Sequence, residues 1–251
     1  LFEVCCGCTE DAVQAERGGA DRIELNSALF LGGLTPSIGT LEAVKAQVKL
    51  PVMCMVRPRE GGFCYTDFDY DAICRDALAL IRAGADGVVF GFLKPDGTVD
   101  EARCADFLGR IRAEKPEIET GFHRAIDVVP DVFAALDTLI ALNVTRVLTS
   151  GQRASAPAGA ETIRQMRAHA AGRIDILPGG GINAGNVRGF IEETGVSSVH
   201  ASARSLRHDT SVRGNPEIFF GGKIDGKGVP EDEYKVTDSA LVGAVVRAIE
   251  G

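Results

Sequence analysis

The chain has 251 residues, of which 45% are hydrophobic and 25% charged, and its net charge is −8. That length suits one large domain with a sizeable core, and the acidic balance excludes nucleic acid as a main partner, since phosphate backbones need a basic surface. No apolar run reaches the ~18 residues of a membrane span, and the first residues lack the pattern of a secretory signal, so a soluble cytoplasmic protein is expected.

Short β-branched or apolar runs alternate with longer amphipathic ones along the chain. A strand over residues 2–6 precedes a helix over 11–17, with Thr9 near its start and Gly18 at its end. Strand 22–26 and helix 38–47 follow, then strand 52–57 and helix 72–82, which stops at Gly84. Next come strand 87–91, helix 103–113, strand 119–123 and helix 132–142, the last opened by Asp131 and closed by Asn143. Strand 146–149 leads to helix 160–170 and Gly172, and strand 175–177 to helix 183–194 and Gly195. Strand 198–202 and helix 239–249 complete the series. Glycine or asparagine at a helix end takes the left-handed conformation that stops it, and Asp or Thr at a start caps it.

Eight strands alternating with eight helices predict an α/β fold, a single (β/α)₈ (TIM) barrel spanning 1–251. An open doubly wound sheet would want a G-x-G-x-x-G turn after its first strand, and Cys6-Gly7-Cys8-Thr9 is not one. One long irregular segment, about 206–237, precedes the last helix, and it is expected to cap the barrel mouth or reach a partner subunit. Seven cysteines, an odd number, fit reduced thiols better than a disulfide framework.

Side chains alternate along a strand, so parity sorts them. Phe2, Val4 and Cys6 should face the helices, which turns Glu3 and Cys5 inward. The same rule turns Glu24 and Asn26, then Met53, Met55 and Arg57, then Gly121 and His123, then Ser198, His200 and Ser202 into the barrel. Barrel interiors are normally aliphatic. Each of Glu3, Glu24, Arg57, His123 and His200 alone reads as a structural ion pair, but together they point to a catalytic site.

Further motifs lie at strand ends. Pro178-Gly179-Gly180-Gly181-Ile182-Asn183 opens a helix, and the backbone of Gly179, Gly180 and Gly181 could cradle an anion or simply make a tight turn. Arg57-Pro58-Arg59 could clamp a carboxylate or phosphate, or form a salt-bridged rim. Phe122-His123-Arg124-Ala125 with Asp127 offers a His for acid/base work beside an Arg and an Asp. Asn26, Arg59, Arg124, Asp127, Ser150, Ser202 and the three glycines are the candidate substrate contacts. Cys5, Cys8 and Met55 are candidate soft ligands, which suit Cu(I), against a reading as core filler.

In these residues the chain resembles the CutC family of copper homeostasis proteins. The likeness runs through Glu3-Val4-Cys5, residues 17–25, Gly32-Gly33-Leu34-Thr35-Pro36-Ser37 and Arg57-Pro58-Arg59. It continues through residues 84–91, Phe122-His123-Arg124-Ala125, Leu148-Thr149-Ser150-Gly151, residues 178–183, His200-Ala201-Ser202 and residues 234–238. The resemblance implies a cytoplasmic TIM barrel that forms a homo-oligomer, a dimer or tetramer, and handles copper. It also implies Cu(I) bound by cysteines. One such position is Cys5; the other is Asn26 here, leaving Cys8 to compensate.

Two functions follow. One is copper homeostasis, with Cu(I) on Cys5 aided by Cys8 or Met55. The other is an enzyme of isomerase or lyase type acting on a small sugar-like or phosphorylated substrate. In it His123 or Glu24 is the acid/base, Glu3 the orienting group, and Arg57 with the glycine loop the anion grip.

Overall fold

A computed structural model describes residues 1–215, 217–218 and 231–251. Its centre is an eight-stranded parallel sheet in the order β7-β6-β5-β4-β3-β2-β1-β8. The strands are β1 (Phe2–Cys6), β2 (Arg22–Leu25), β3 (Val52–Met55), β4 (Gly87–Phe90), β5 (Glu119–Phe122), β6 (Arg146–Thr149), β7 (Asp175–Pro178) and β8 (Val199–Ala201). A bridge between Gly179 and His200 joins the two ends, so the predicted (β/α)₈ barrel closes there. The intervening helices are α1 (Thr9–Arg17), α2 (Ile38–Gln47), α3 (Asp67–Arg82), α4 (Glu101–Glu114), α5 (Val132–Ala141), α6 (Ala160–Ala170) and α7 (Val187–Thr194). The chain ends in α8 (Ser239–Glu250).

Parity sorts the barrel as expected. Phe2, Val4, Cys6, Ile23, Leu25, Val52 and Cys54 are buried among helix side chains in one continuous core. Met53, Met55 and Val89 form a separate apolar cluster inside. The floor of the barrel is charged rather than aliphatic: Arg22 pairs with Glu3, Arg146 pairs with Glu119, and Ser198 donates to Asp175 at 2.7 Å. Buried charges persist only when paired in this way.

Local chemistry explains most helix ends. Thr66 and Asp69 form a reciprocal capping box at α3, and Asp131 accepts from the N–H groups of Phe133 and Ala134 at α5. Asn143, Gly172 and Gly195 adopt φ of 54°, 78° and 70°, the left-handed stop.

Helix α3 starts at Asp67 rather than 72, Gly18 ends α1 with φ −80° rather than in the left-handed region, and two further corrections bear on the site. Helix α7 starts at Val187 rather than 183, because Asn183 and Asn186 build a turn first: Asn186 Oδ1 accepts from Asn183 N at 2.9 Å and Asn186 Nδ2 donates to Gly181 O at 2.8 Å. The glycine loop is therefore not a helix N-terminus. The 206–237 segment is also not wholly irregular. Its ends pair as an antiparallel hairpin of β9 (Arg204–His208) and β10 (Glu233–Thr237), while 216 and 219–230 lie outside the described residues.

That hairpin is pinned to the barrel by Asp11 of α1. The buried Asp11 carboxylate accepts from Gly7 N at 2.7 Å and Thr237 N at 2.6 Å, and meets Arg204 Nη2 at 3.4 Å. Asp11→Ala would strand two backbone donors and a largely buried guanidinium. It is expected to destabilise the fold by roughly 2–4 kcal/mol, seen as a lowered urea midpoint.

Candidate functional site

Above the charged floor, Cys5 on β1, Glu24 on β2 and His200 on β8 come together. One ligand atom from each lies within 4.8 Å of the others. The strand register makes this meeting. Cys5 stands opposite Glu24, and Glu3, two residues earlier, stands opposite His200.

The His200 ring is held from behind. Its Nδ1 is 2.8 Å from Glu3 Oε1, and Glu3 Oε2 is in turn bound by Arg22 Nε. With Nδ1 taken, Nε2 is the nitrogen left for Cys5 and Glu24. Glu24 Oε2 accepts from Asn26 Nδ2 at 2.9 Å and lies 3.8 Å from Cys5 Sγ. Asn26 Nδ2 is also 3.6 Å from that sulfur. Glu24 and His200 are buried, and Cys5 is partly accessible.

The electrostatics follow from burial and pairing. Burial pushes the Glu3 carboxyl up, but the His200 hydrogen bond and the charges of His200, Arg22 and Arg146 outweigh it and hold it at about 2. Burial pushes Glu24 up, with only partial relief from His200. Burial also opposes charge on His200, yet the bonds to Cys5 and Glu3 and the nearby Glu24 carboxylate raise it well above its ordinary value. The Cys5 thiol is pushed up by burial. Both shifts favour the protonated thiol and imidazolium, so an entering cation must displace a proton from each.

The remaining candidates divide into two groups. In the first, Arg57 Nη1 donates to Leu31 O at 2.9 Å and Gly33 O at 3.1 Å, and Nη2 donates to Gly61 O at 2.9 Å. The guanidinium fork is thus spent on loop carbonyls, which argues for a structural tie rather than an anion clamp. Phe63 covers both Arg57, at 5.4 Å, and the His123 ring, at 4.7 Å. His123 Nδ1 accepts from Ala125 N at 3.2 Å, and its buried Nε2 has no partner among the described residues. Burial and the Arg57 charge press His123 down to about 3, so it is a neutral donor and not a base near pH 7. Arg59 pairs with Asp69 at 3.1 Å and donates to the carbonyls of Glu60, Gly62 and Cys64, which makes it part of the rim.

In the second group, Asp127 binds Arg124 Nε at 2.8 Å and Ser150 Oγ at 2.9 Å, beside Gly179–Gly181. Ser202 is exposed at the end of β8. No hydrogen bond or ion pair joins Arg57 or His123 to the Cys5 group among the described residues, so only Glu3, Glu24 and His200 of the five interior candidates act as a unit. Arg22, Arg146 and Asp11 escaped the sequence reading, although Arg22 shares the parity of Glu24.

A family model described as the CutC family matches residues 1–205. The CutC family protein of Treponema denticola is 50% identical over 248 residues, covering 99% of this chain and 98% of that relative. The chain belongs to the CutC family. The human copper homeostasis protein cutC homolog is 43% identical over 242 residues, 96% of this chain and 86% of that one. A solved CutC structure from Streptococcus agalactiae shares 29% identity with a TM-score of 0.74, covering 80% of this chain and 98% of that one. The phosphoribosylanthranilate isomerase of Pyrococcus furiosus, at 14% identity and a TM-score of 0.56, shares the fold alone.

Within this CutC chain the soft-ligand candidates fare differently. Cys8 is exposed at the start of α1 and lies outside the Cys5 group, because the Gly7 bond to Asp11 and the Ala12 N–H bond to Cys8 O commit the turn to the helix. Met55 packs with Met53 and Val89, and β2 lies between it and Cys5. His200 and Glu24 replace both as neighbours of Cys5.

Proposed function

We propose that this CutC family member handles copper as Cu(I), carried on Cys5 Sγ and His200 Nε2. One observation carries the reading: the Cys5, Glu24 and His200 ligand atoms lie within 4.8 Å of one another. Thiolate and imidazole both suit Cu(I), whereas a carboxylate is a hard ligand. Glu24 is then better placed to accept the proton that the thiol loses. Glu3 fixes the ring from the far side, as supporting carboxylates do for metal-bound histidines. The copper homeostasis naming of the human relative supports the same reading.

The test is competition for Cu(I) against a chromophoric chelator under reducing, anaerobic conditions. One Cu(I) per chain is expected, with His200→Gln binding more weakly. A chain that takes no Cu(I) from a weak chelator, or a His200→Gln variant of unchanged affinity, would overturn the proposal.

A second reading, an isomerase- or lyase-type enzyme on a small sugar-like or phosphorylated substrate, has one observation in its favour. His200 with its orienting Glu3 carboxylate forms an acid beside Glu24, a second carboxyl pushed up by burial. Its mark would be turnover by the metal-free chain that is lost in Glu24→Gln.

A further inference from the structure

The rim of β5, β6 and β7 keeps donors in reserve. Arg124 is fixed on two sides, with Nε on Asp127 Oδ2 at 2.8 Å and Nη2 on Ser150 Oγ at 2.6 Å. Its Nη1 has no partner among the described residues, and its side chain is 45% exposed. Nη1 faces Gly180, where an added Cβ would lie 3.7 Å from it. Asp127 is turned away from that space. Its buried carboxylate is occupied by Thr149 Oγ1 at 2.6 Å, Ser150 N at 3.0 Å and Gln152 N at 3.3 Å as well as by Arg124.

The facing loop is arranged to match. Gly180 and Gly181 take φ of +93° and +85°, which L side chains rarely adopt. Gly180 O accepts from Ala156 N at 2.8 Å and Gly181 O from Asn186 Nδ2 at 2.8 Å, so both carbonyls are drawn outward. The N–H group of Gly181 has no partner among the described residues, whereas that of Gly180 turns to β8 in the Gly179–His200 bridge. Arg153, on the next loop, is an exposed cation with no ion pair among the described residues. A fixed guanidinium nitrogen and a free backbone N–H group on the opposite wall suit an anion with several oxygens. A tetrahedral phosphate meets both walls at once, while a planar carboxylate offers only two oxygens. Gly179 then leads to the Cys5 group, since a Cβ on it would lie 3.2 Å from His200 Cδ2.

We propose that Arg124 and the Gly181 N–H group bind a dianionic phosphate group, free or as the monoester of a small molecule that extends over His200. This does not rest on the copper reading, and its test uses no metal. Isothermal titration calorimetry of the chelator-treated chain is expected to show inorganic phosphate and glycerol 3-phosphate competing for one site. Arg124→Gln should weaken both by at least about tenfold, the loss of one charge-assisted contact. Arg75→Gln, an exposed change on α3, should leave them unchanged. Tighter binding of glycerol 3-phosphate would identify the monoester as the ligand, and equal affinities free phosphate; either supports the site. Absence of binding, or equal affinity in Arg124→Gln, overturns it. Should Arg124→Gln fail to fold, Arg153→Glu carries the test, since the Arg153 side chain has no hydrogen bond or ion pair to lose among the described residues and its charge adds to the positive field at the loop. Unchanged affinity there overturns the proposal equally.

Discussion

Cys5→Ser is expected to weaken Cu(I) binding by at least about 100-fold, the upper end of what losing a mere supporting group costs a metal site. The sulfur is the one soft donor in its group, and a serine hydroxyl of similar size is hard and stays protonated. The loss should leave folding intact, because the thiol lies 3.8 Å from Glu24 and 3.6 Å from Asn26, and a serine hydroxyl can take over its hydrogen bond to His200. Chelator competition checks the affinity, and a thermal melt checks the fold. Cys8→Ser serves as the control and should bind as the parent does, since Cys8 stands exposed at the start of α1. The converse substitution, Asn26→Cys, places a second thiol beside the first and should tighten binding. Parent-like affinity in Cys5→Ser would remove copper from the barrel mouth altogether.

The second large effect is on acid stability. His123 has an ordinary value of 6.5 and is held at about 3 in the fold. The unfolded chain therefore takes up the proton first as pH falls. The stabilisation is complete above about 6.5 and is lost progressively as pH drops toward 3, a swing of roughly 4–5 kcal/mol at most. Glu3 acts in the same direction at lower pH, being depressed from 4.5 to about 2. His200 acts in the opposite sense: its value is raised, so its contribution is present below about 6.5 and is lost as pH rises through the folded value. Urea midpoints measured from pH 7 to pH 4 should fall steeply for the parent chain. His123→Asn, which keeps an acceptor for Ala125 N but cannot titrate, should flatten that fall. An identical slope in the variant would mean that His123 is not the neutral buried group described here.

Most of the fold was legible because it depends on local pattern. Period-two alternation in strands, capping residues such as Asp131, and stops such as Asn143 and Gly195 act over a few residues. Helix α7 begins late because Asn186 reaches back to Gly181, and the 206–237 segment pairs end to end because Thr237 N is held by Asp11, 226 residues away. The first is a short-range asparagine turn hidden under the helical pattern, and only the second depends on a distant residue. The inner face of each strand was likewise readable, while the partners across the barrel were not. Arg57 looks like an anion clamp until its fork is found on the carbonyls of Leu31, Gly33 and Gly61. His123 looks like a base until burial and Arg57 make it neutral.

By itself the sequence determined that the chain is a closed α/β barrel with Glu3, Cys5, Glu24, Asn26 and His200 turned inward. Alternation and helix punctuation are properties of neighbouring residues. Only the tertiary structure decided that Cys5 meets Glu24 and His200 rather than Cys8 or Met55. Strand register and barrel closure bring β8 beside β1, and that contact spans nearly the whole chain.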